Sequence, residues 1–321
     1  MNIFSKNLLR KKPTIFADWA EYELPQSVNS CSYIPFLQTY LITMYGGYIA
    51  TTTNLINFNT QQIDTSTSWE CAACDNDTII LCGSGGKIAI TNDLTNFTIK
   101  TVPMDTMNEI AYGNGKFVVC GMNSLIPCIS YTVDKGSNFS PVVQVDNRTG
   151  YGAYQLQSIS FGNDIFFTVS NDLHYGFFAN SENIENWTST TSLSLTGAGH
   201  PVRFLSANNF FNIPANQGSL GGIQQNAGER FWSNFQSIGV YNRVTDIAYF
   251  QKYYITGVNS SNQGVVLSGD TLDNRYISAD YEGAITPFRI TTGLKGILAI
   301  GYDTNQTSQS ATHILTKRII S

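Results

Sequence analysis

Two arginines stand near the start of runs that read as strands: Arg203 in Pro201-Val202-Arg203-Phe204 and Arg289 in Pro287-Phe288-Arg289-Ile290. A guanidinium grips a carboxylate through paired hydrogen bonds. An arginine cluster at the mouth of a ring of strands, with a Tyr/Glu nucleophile pair and an acid, would therefore hydrolyse a glycan that carries a carboxylate. Here no third arginine occupies an equivalent strand start, and no Glu pairs with a Tyr at matching positions. The reading favoured for both arginines is a grip on a neighbouring repeat or an assembly partner. Paired carboxylates for general glycoside hydrolysis cannot be placed from sequence. No catalytic residue is assigned, and the chain is read as non-enzymatic.

Other chemistry-bearing motifs dissolve on alignment. Cys71-Ala72-Ala73-Cys74 has the spacing of a metal or redox pair, but by repeat it matches Glu109, Ile110, Ala111 and Tyr112, ordinary strand residues. No second CxxC or HxxxH completes a site beside the histidines His174, His200 and His313. All six cysteines fall in the first 128 residues, which argues against a disulfide framework for the whole chain. Gly83-Ser84-Gly85-Gly86-Lys87 resembles a phosphate loop but joins two strands and opens no helix. No cofactor, metal, nucleic acid or membrane is expected as a partner.

The elements that must position these residues come from a repeat. Strand cores recur at Tyr40-Leu41-Ile42-Thr43, Ile79-Ile80-Leu81-Cys82-Gly83, Phe117-Val118-Val119-Cys120-Gly121 and Ile165-Phe166-Phe167-Thr168. They continue at Phe210-Phe211-Asn212-Ile213, Tyr253-Tyr254-Ile255-Thr256-Gly257 and Ile297-Leu298-Ala299-Ile300-Gly301, a mean period of about 43 residues. Short strands at that period predict an all-β, seven-bladed β-propeller. In the third repeat Asn108–Tyr112 is an inner strand, Gly113-Asn114-Gly115 a hairpin turn, and Lys116–Gly121 the second strand. The phrase Trp19-Ala20-Glu21-Tyr22-Glu23-Leu24-Pro25 repeats the outer-strand pattern of Phe97–Pro103 with no blade before it, while the last repeat ends one strand short. Residues 19–25 are therefore expected to supply the outer strand of the last blade and close the ring. The predicted domains are a basic N-terminal arm, 1–18, and a single propeller, 19–321.

Thr132-Val133-Asp134-Lys135-Gly136-Ser137-Asn138-Phe139 has the form of the Asp-box turn of sialidase-type propellers, with looser echoes at Thr91–Phe97, Asn180–Trp187 and Ser268–Tyr276. With Ile110–Val119 ahead of it, the stretch resembles the repeats of propeller proteins of tailed bacteriophages. There is no Trp-Asp dipeptide to suggest WD repeats. The resemblance implies a virion structural protein of the tail or its associated assembly, acting through protein–protein contacts with other virion proteins in many copies. The alternatives are a receptor-binding propeller lectin for a host surface glycan and a sialidase-like glycan hydrolase.

Charge and loop length add two contact candidates. Charged residues make up only 13% of the chain, and four of its 18 basic residues, Lys6, Arg10, Lys11 and Lys12, open it with no acid among them. This basic leader reads as an assembly arm on an acidic body, and it lacks the apolar run of a secretory signal. The longest spacing between strand markers, from Phe117 to Ile165, contains Arg148, Tyr151 and Tyr154 between glycines, a composition suited to binding contacts.

Overall fold

The computed structural model describes residues 15–145, 155–170, 176–189, 201–206, 210–215, 219–226, 229–237, 241–270, 272, 277–303 and 311–320. Within them the chain forms seven four-stranded antiparallel sheets. Their inner strands are, in order, Val28–Ile34, Trp69–Cys74, Thr106–Gly113, Leu156–Gly162, Arg203–Leu205, Tyr241–Phe250 and Ile285–Gly293. Six sheets run from inner to outer strand in chain order. The seventh takes its fourth strand, Ala20–Glu23, from the other end of the chain. That strand pairs with His313–Arg318 in the register Ala20↔Thr316 to Glu23↔His313. The pairing extends past it on both sides, with Phe16 bridged to Ile319 and the Leu24 amide donating to the Thr312 carbonyl at 2.8 Å.

Local sequence accounts for the hairpins. Asn114 and Gly115 both take positive φ (45° and 73°), the conformation a two-residue turn between right-twisted strands demands. At the outer turns Asp93 accepts the amides of Thr95 and Asn96, and Asp134 that of Asn138, each at 2.8 Å. Asn54 does the same for Ile56 and Asn57 in the first sheet, at Thr52–Phe58, a copy of the turn the sequence reading did not single out. Glycine is the expected left-handed residue in such a turn, and Gly136 takes that role at φ +84°. Leu55 and Leu94 instead stand at φ +59° and +58°, both buried. Left-handed backbone costs a leucine about 1–2 kcal/mol. Burying its side chain returns about 1.5–3 kcal/mol, so packing wins.

Six inner strands carry a β-bulge just before the segment that faces the centre, between Val28/Ser30, Trp69/Cys71, Met107/Glu109, Leu156/Ser158, Val244/Asp246 and Pro287/Arg289. In four of them the residue opposite is glycine: Gly83, Gly121, Gly257 or Gly301. At Gly121 a Cβ would overlap the Thr106 carbonyl, so the bulged strand approaches only because no side chain is there. This explains why so many strand cores end in glycine.

Seven apolar clusters lie between sheets. One joins the third and fourth through Val118, Ile129, Phe166 and Phe177, and another joins the first and seventh through Tyr40, Ile42, Leu298 and Ile314. Each sheet thus buries both faces, which is why its strands read as continuous apolar runs rather than alternating ones.

Candidate functional site

At the end of each inner strand, or one residue before it, stands a residue paired across the hairpin: Tyr33, Cys74, Tyr112, Phe161, Phe204, Tyr249 or Thr292. In five sheets this residue and its cross-strand neighbour form an aromatic pair with ring centroids 4.7–5.1 Å apart, from Tyr112–Phe117 to Phe204–Phe211. The Phe161 ring lies where a Cβ on Gly113 of the preceding sheet would be, so these aromatics also seat one sheet on the next.

Three residues back from that paired residue stand Ser30, Cys71, Glu109, Ser158, Asp246 and Arg289, the positions the bulges re-aim. Several clasp the next sheet. The Ile159 amide donates to Glu109 Oε2 at 3.0 Å, the Val202 amide to Ser158 Oγ at 2.8 Å, and the Ile290 amide to Asp246 Oδ2 at 3.1 Å. An inner strand has no partner on its central side, and these side chains supply acceptors for amides that would otherwise be orphaned. One residue earlier, Asn29, Asn108 and Thr245 donate to the carbonyls of Trp69, Leu156 and Pro287 in the following sheets, at 2.9, 2.6 and 2.7 Å.

Arg203 breaks the pattern. It immediately precedes its hairpin residue, a level occupied by Ser32, Ala73, Ala111, Ser160, Ala248 and Thr291 in the other sheets. Over those small neighbours it reaches Glu109 Oε1 at 2.6 Å and Asp246 Oδ1 at 3.1 Å. Ser158 Oγ also donates to Glu109 Oε2, so that carboxylate is saturated. Burial opposes the Arg203 charge, but Asp246 and Glu109 outweigh it and hold the guanidinium protonated above its ordinary range. Burial pushes the Asp246 carboxyl up, with Arg203, Arg289 and two amides pulling it back. A cavity of about 510 Å³ opens at this belt, and all seven inner strands contribute to its wall, which includes Arg203, Glu109, Tyr33, Tyr112 and Phe161.

The two arginines expected at equivalent strand starts are two positions out of register. Arg203 lies in the belt, whereas Arg289 makes no ion pair among the described residues and its buried Nε has no hydrogen-bond partner. Arg203 does grip other repeats, as the sequence suggested. Cys71 takes the place of Glu109 in its own sheet. Burial, then the Glu109 charge, raises its thiol pKa, while burial and Asp75 push that of Cys74 up to about 11. Neither is an activated nucleophile. Arg148, Tyr151 and Tyr154, and the arm residues Lys6, Arg10, Lys11 and Lys12, lie outside the described residues. Glu109, Ser158 and Asp246 were missed as a set. Extending the alignment that matched Cys71 to Glu109 through every repeat would have found them.

No family model matches the sequence, and no curated protein matches it. Solved structures do. A structure of YCF48 bound to D1 peptide is 14% identical with TM-score 0.69, covering 96% of this chain and 97% of that one. YCF48 from Cyanidioschyzon merolae is 12% identical with TM-score 0.68 over 94% of this chain and 98% of its own. A chain of the mitotic checkpoint complex is 9% identical with TM-score 0.70 over 100% and 97%. At such identities the likeness is one of fold alone, and that fold is a β-propeller.

Proposed function

We propose that the seven sheets are the blades of one closed propeller, sealed by Ala20–Glu23, and that the protein is a non-enzymatic scaffold working through protein–protein contacts. The observation that carries this reading is the state of the central carboxylates. Glu109 and Asp246 each accept a backbone amide of the next sheet and share the single positive charge of Arg203. They are cross-links, not a free acid and base. Two of the similar structures are of proteins with partners, one bound to a peptide and one within a multi-protein complex. The Asp-box-like turns favour the tailed-phage resemblance, so the setting we propose is a virion, with the chain in many copies in the tail or its associated assembly. The basic arm and the loop carrying Arg148, Tyr151 and Tyr154 are its proposed contacts.

Localisation in purified particles by electron microscopy tests the setting, and replacing Arg148, Tyr151 and Tyr154 together by Ala tests the contact. The triple variant is expected to keep the melting temperature and to lose incorporation into particles. Normal assembly and infectivity would remove that loop from the proposal. Absence of the protein from mature particles would end the virion reading.

A further inference from the structure

Side chains cross between neighbouring sheets at several junctions, and one junction is bridged more weakly than the others described. Lys100 of the second sheet reaches across to the third and donates to the carbonyls of Gly136 and Ser137 at 3.1 and 2.7 Å. Tyr131 of the third donates to Glu185 of the fourth at 2.9 Å. Between the seventh and first, the Tyr22 ring packs on Phe58 at 5.3 Å. At the junction of the first and second sheets the residue in register with Lys100 is Gln61, for Gln61 pairs with Ile49 as Lys100 pairs with Ile88. Gln61 makes one long bond, 3.4 Å, to the Thr95 carbonyl. Beside it lies an open groove of about 740 Å³, within the size range of small-ligand sites.

The groove's chemistry is specific. Among the described residues no cation lines it, and the one acid that does, Asp93, is consumed by its own turn: the amides of Asn96 and Thr95 hold its carboxyl well below the usual range. Its aliphatic lining comes from Leu37, Ile49 and Leu94, of which Leu37 is the more exposed. Around it stand Thr51, Thr53, Asn57, Asn59 and Thr60, whose side chains make no hydrogen bond among the described residues and are open to solvent. Hydroxyls and amides both donate and accept. A ligand matching this set has an apolar C–H face and a rim of uncharged groups that donate and accept in turn, which describes a pyranose. Phosphate or sulfate would meet no cation, and a greasy ligand would leave the walls unpaired.

We propose that this groove is a binding site for neutral carbohydrate, independent of the protein contacts proposed above. The full chain should be screened against immobilised neutral tetrasaccharides (maltotetraose, cellotetraose, chitotetraose), with sulfated and sialylated glycans and short β-strand peptides alongside. The expected result is millimolar or tighter binding of at least one neutral glycan. Gln61→Lys, which installs the bridge seen at Lys100, and the pair Asn59→Ala/Thr60→Ala should each weaken it tenfold or more at unchanged melting temperature. Asn57, Asn59, Thr60 and Gln61 are exposed, so the fold does not depend on them. No neutral-glycan binding at 10 mM, as an order-of-magnitude ceiling set by weak single-site recognition, would overturn the proposal. So would binding of only charged glycans or peptide, or full binding by both variants.

Discussion

Arg203 and Glu109, 94 residues apart and on sheets separated by a third, meet at 2.6 Å in the middle of the molecule. Side-chain exposure is 23% for the arginine, 4% for Glu109 and 0% for Asp246, so this is a buried triad with one more negative than positive charge. Removing the cation leaves two carboxylates in low dielectric. Arg203→Met should destabilise the protein by about 3–5 kcal/mol. Adding Glu109→Gln and Asp246→Asn to it should recover part of that loss, because the uncompensated charges go too. Urea melts of the single and triple variants check this; equal stability of Arg203→Met and the parent would refute the belt.

The seventh sheet depends on the far end of the chain. Lys317 Nζ lies 2.6 Å from Asp280 and 5.7 Å from the centre of the Trp19 ring, and Trp19 Nε1 donates to Asp280 at 3.2 Å. A chain beginning at Ile15 keeps every one of these contacts and should melt like the full protein. A chain beginning at Gln26 loses the strand and the buried Leu24 and leaves His313–Arg318 as an open edge. It should lose about 3–6 kcal/mol, from the apolar area uncovered, and aggregate at lower temperature. Calorimetry and light scattering on the two truncations separate the outcomes.

Gly121→Ala should cost about 1–3 kcal/mol, the usual penalty for forcing a methyl into packed backbone. The same change at Gly85, where a Cβ would meet nothing within 4 Å but φ is +67°, should cost only the left-handed strain of about 1–2 kcal/mol. Chemical denaturation of both variants tests whether the bulge needs glycine for space rather than for conformation.

Asp64 gives the pH dependence a sign. Lys87 at 2.6 Å, then Thr67 and the Ser66 amide, hold its carboxyl well below the usual range. A group depressed on folding adds stability above its unfolded pKa, near 4, and that stability disappears as pH falls toward the folded value. Stability of the parent should therefore decline between roughly pH 5 and pH 2 more steeply than that of Asp64→Asn. At pH 7 the variant should be the less stable of the two. Identical pH profiles would mean that the Lys87 pair contributes nothing.

Much of this architecture could be read before any coordinates. The period, the Asn114-Gly115 hairpin and the orphan strand near Trp19 are local signals, and each has its counterpart in the structure. The belt was harder because its members are far apart in sequence and depend on bulges. A bulge shifts register by one residue and so decides which side chain faces the centre. Arg203 and Arg289 look alike in sequence, both following a proline by two residues. They part company because the fifth inner strand, Arg203–Leu205, is only three residues long and its arginine sits one step from the hairpin. Leu55 and Leu94 give no sequence signal for their turns, since propensity argues against leucine at positive φ while burial holds it there.

The pairing of Ala20–Glu23 with His313–Arg318 also sets a timetable for the newborn chain. Glu23 leaves the ribosome well ahead of its partner His313, an interval of roughly 15–60 s at ordinary synthesis rates of about 5–20 residues per second. Through that interval six sheets can form in succession, each on the one before, while the opening strand waits without its mate. A nascent chain is thus left with one unmatched strand at its front and, once His313–Arg318 emerges, one at its back. In a crowded polysome the front strand of one copy can meet the back strand of another. Whether translation yields single molecules or linked pairs therefore turns on how fast each chain finds its own end.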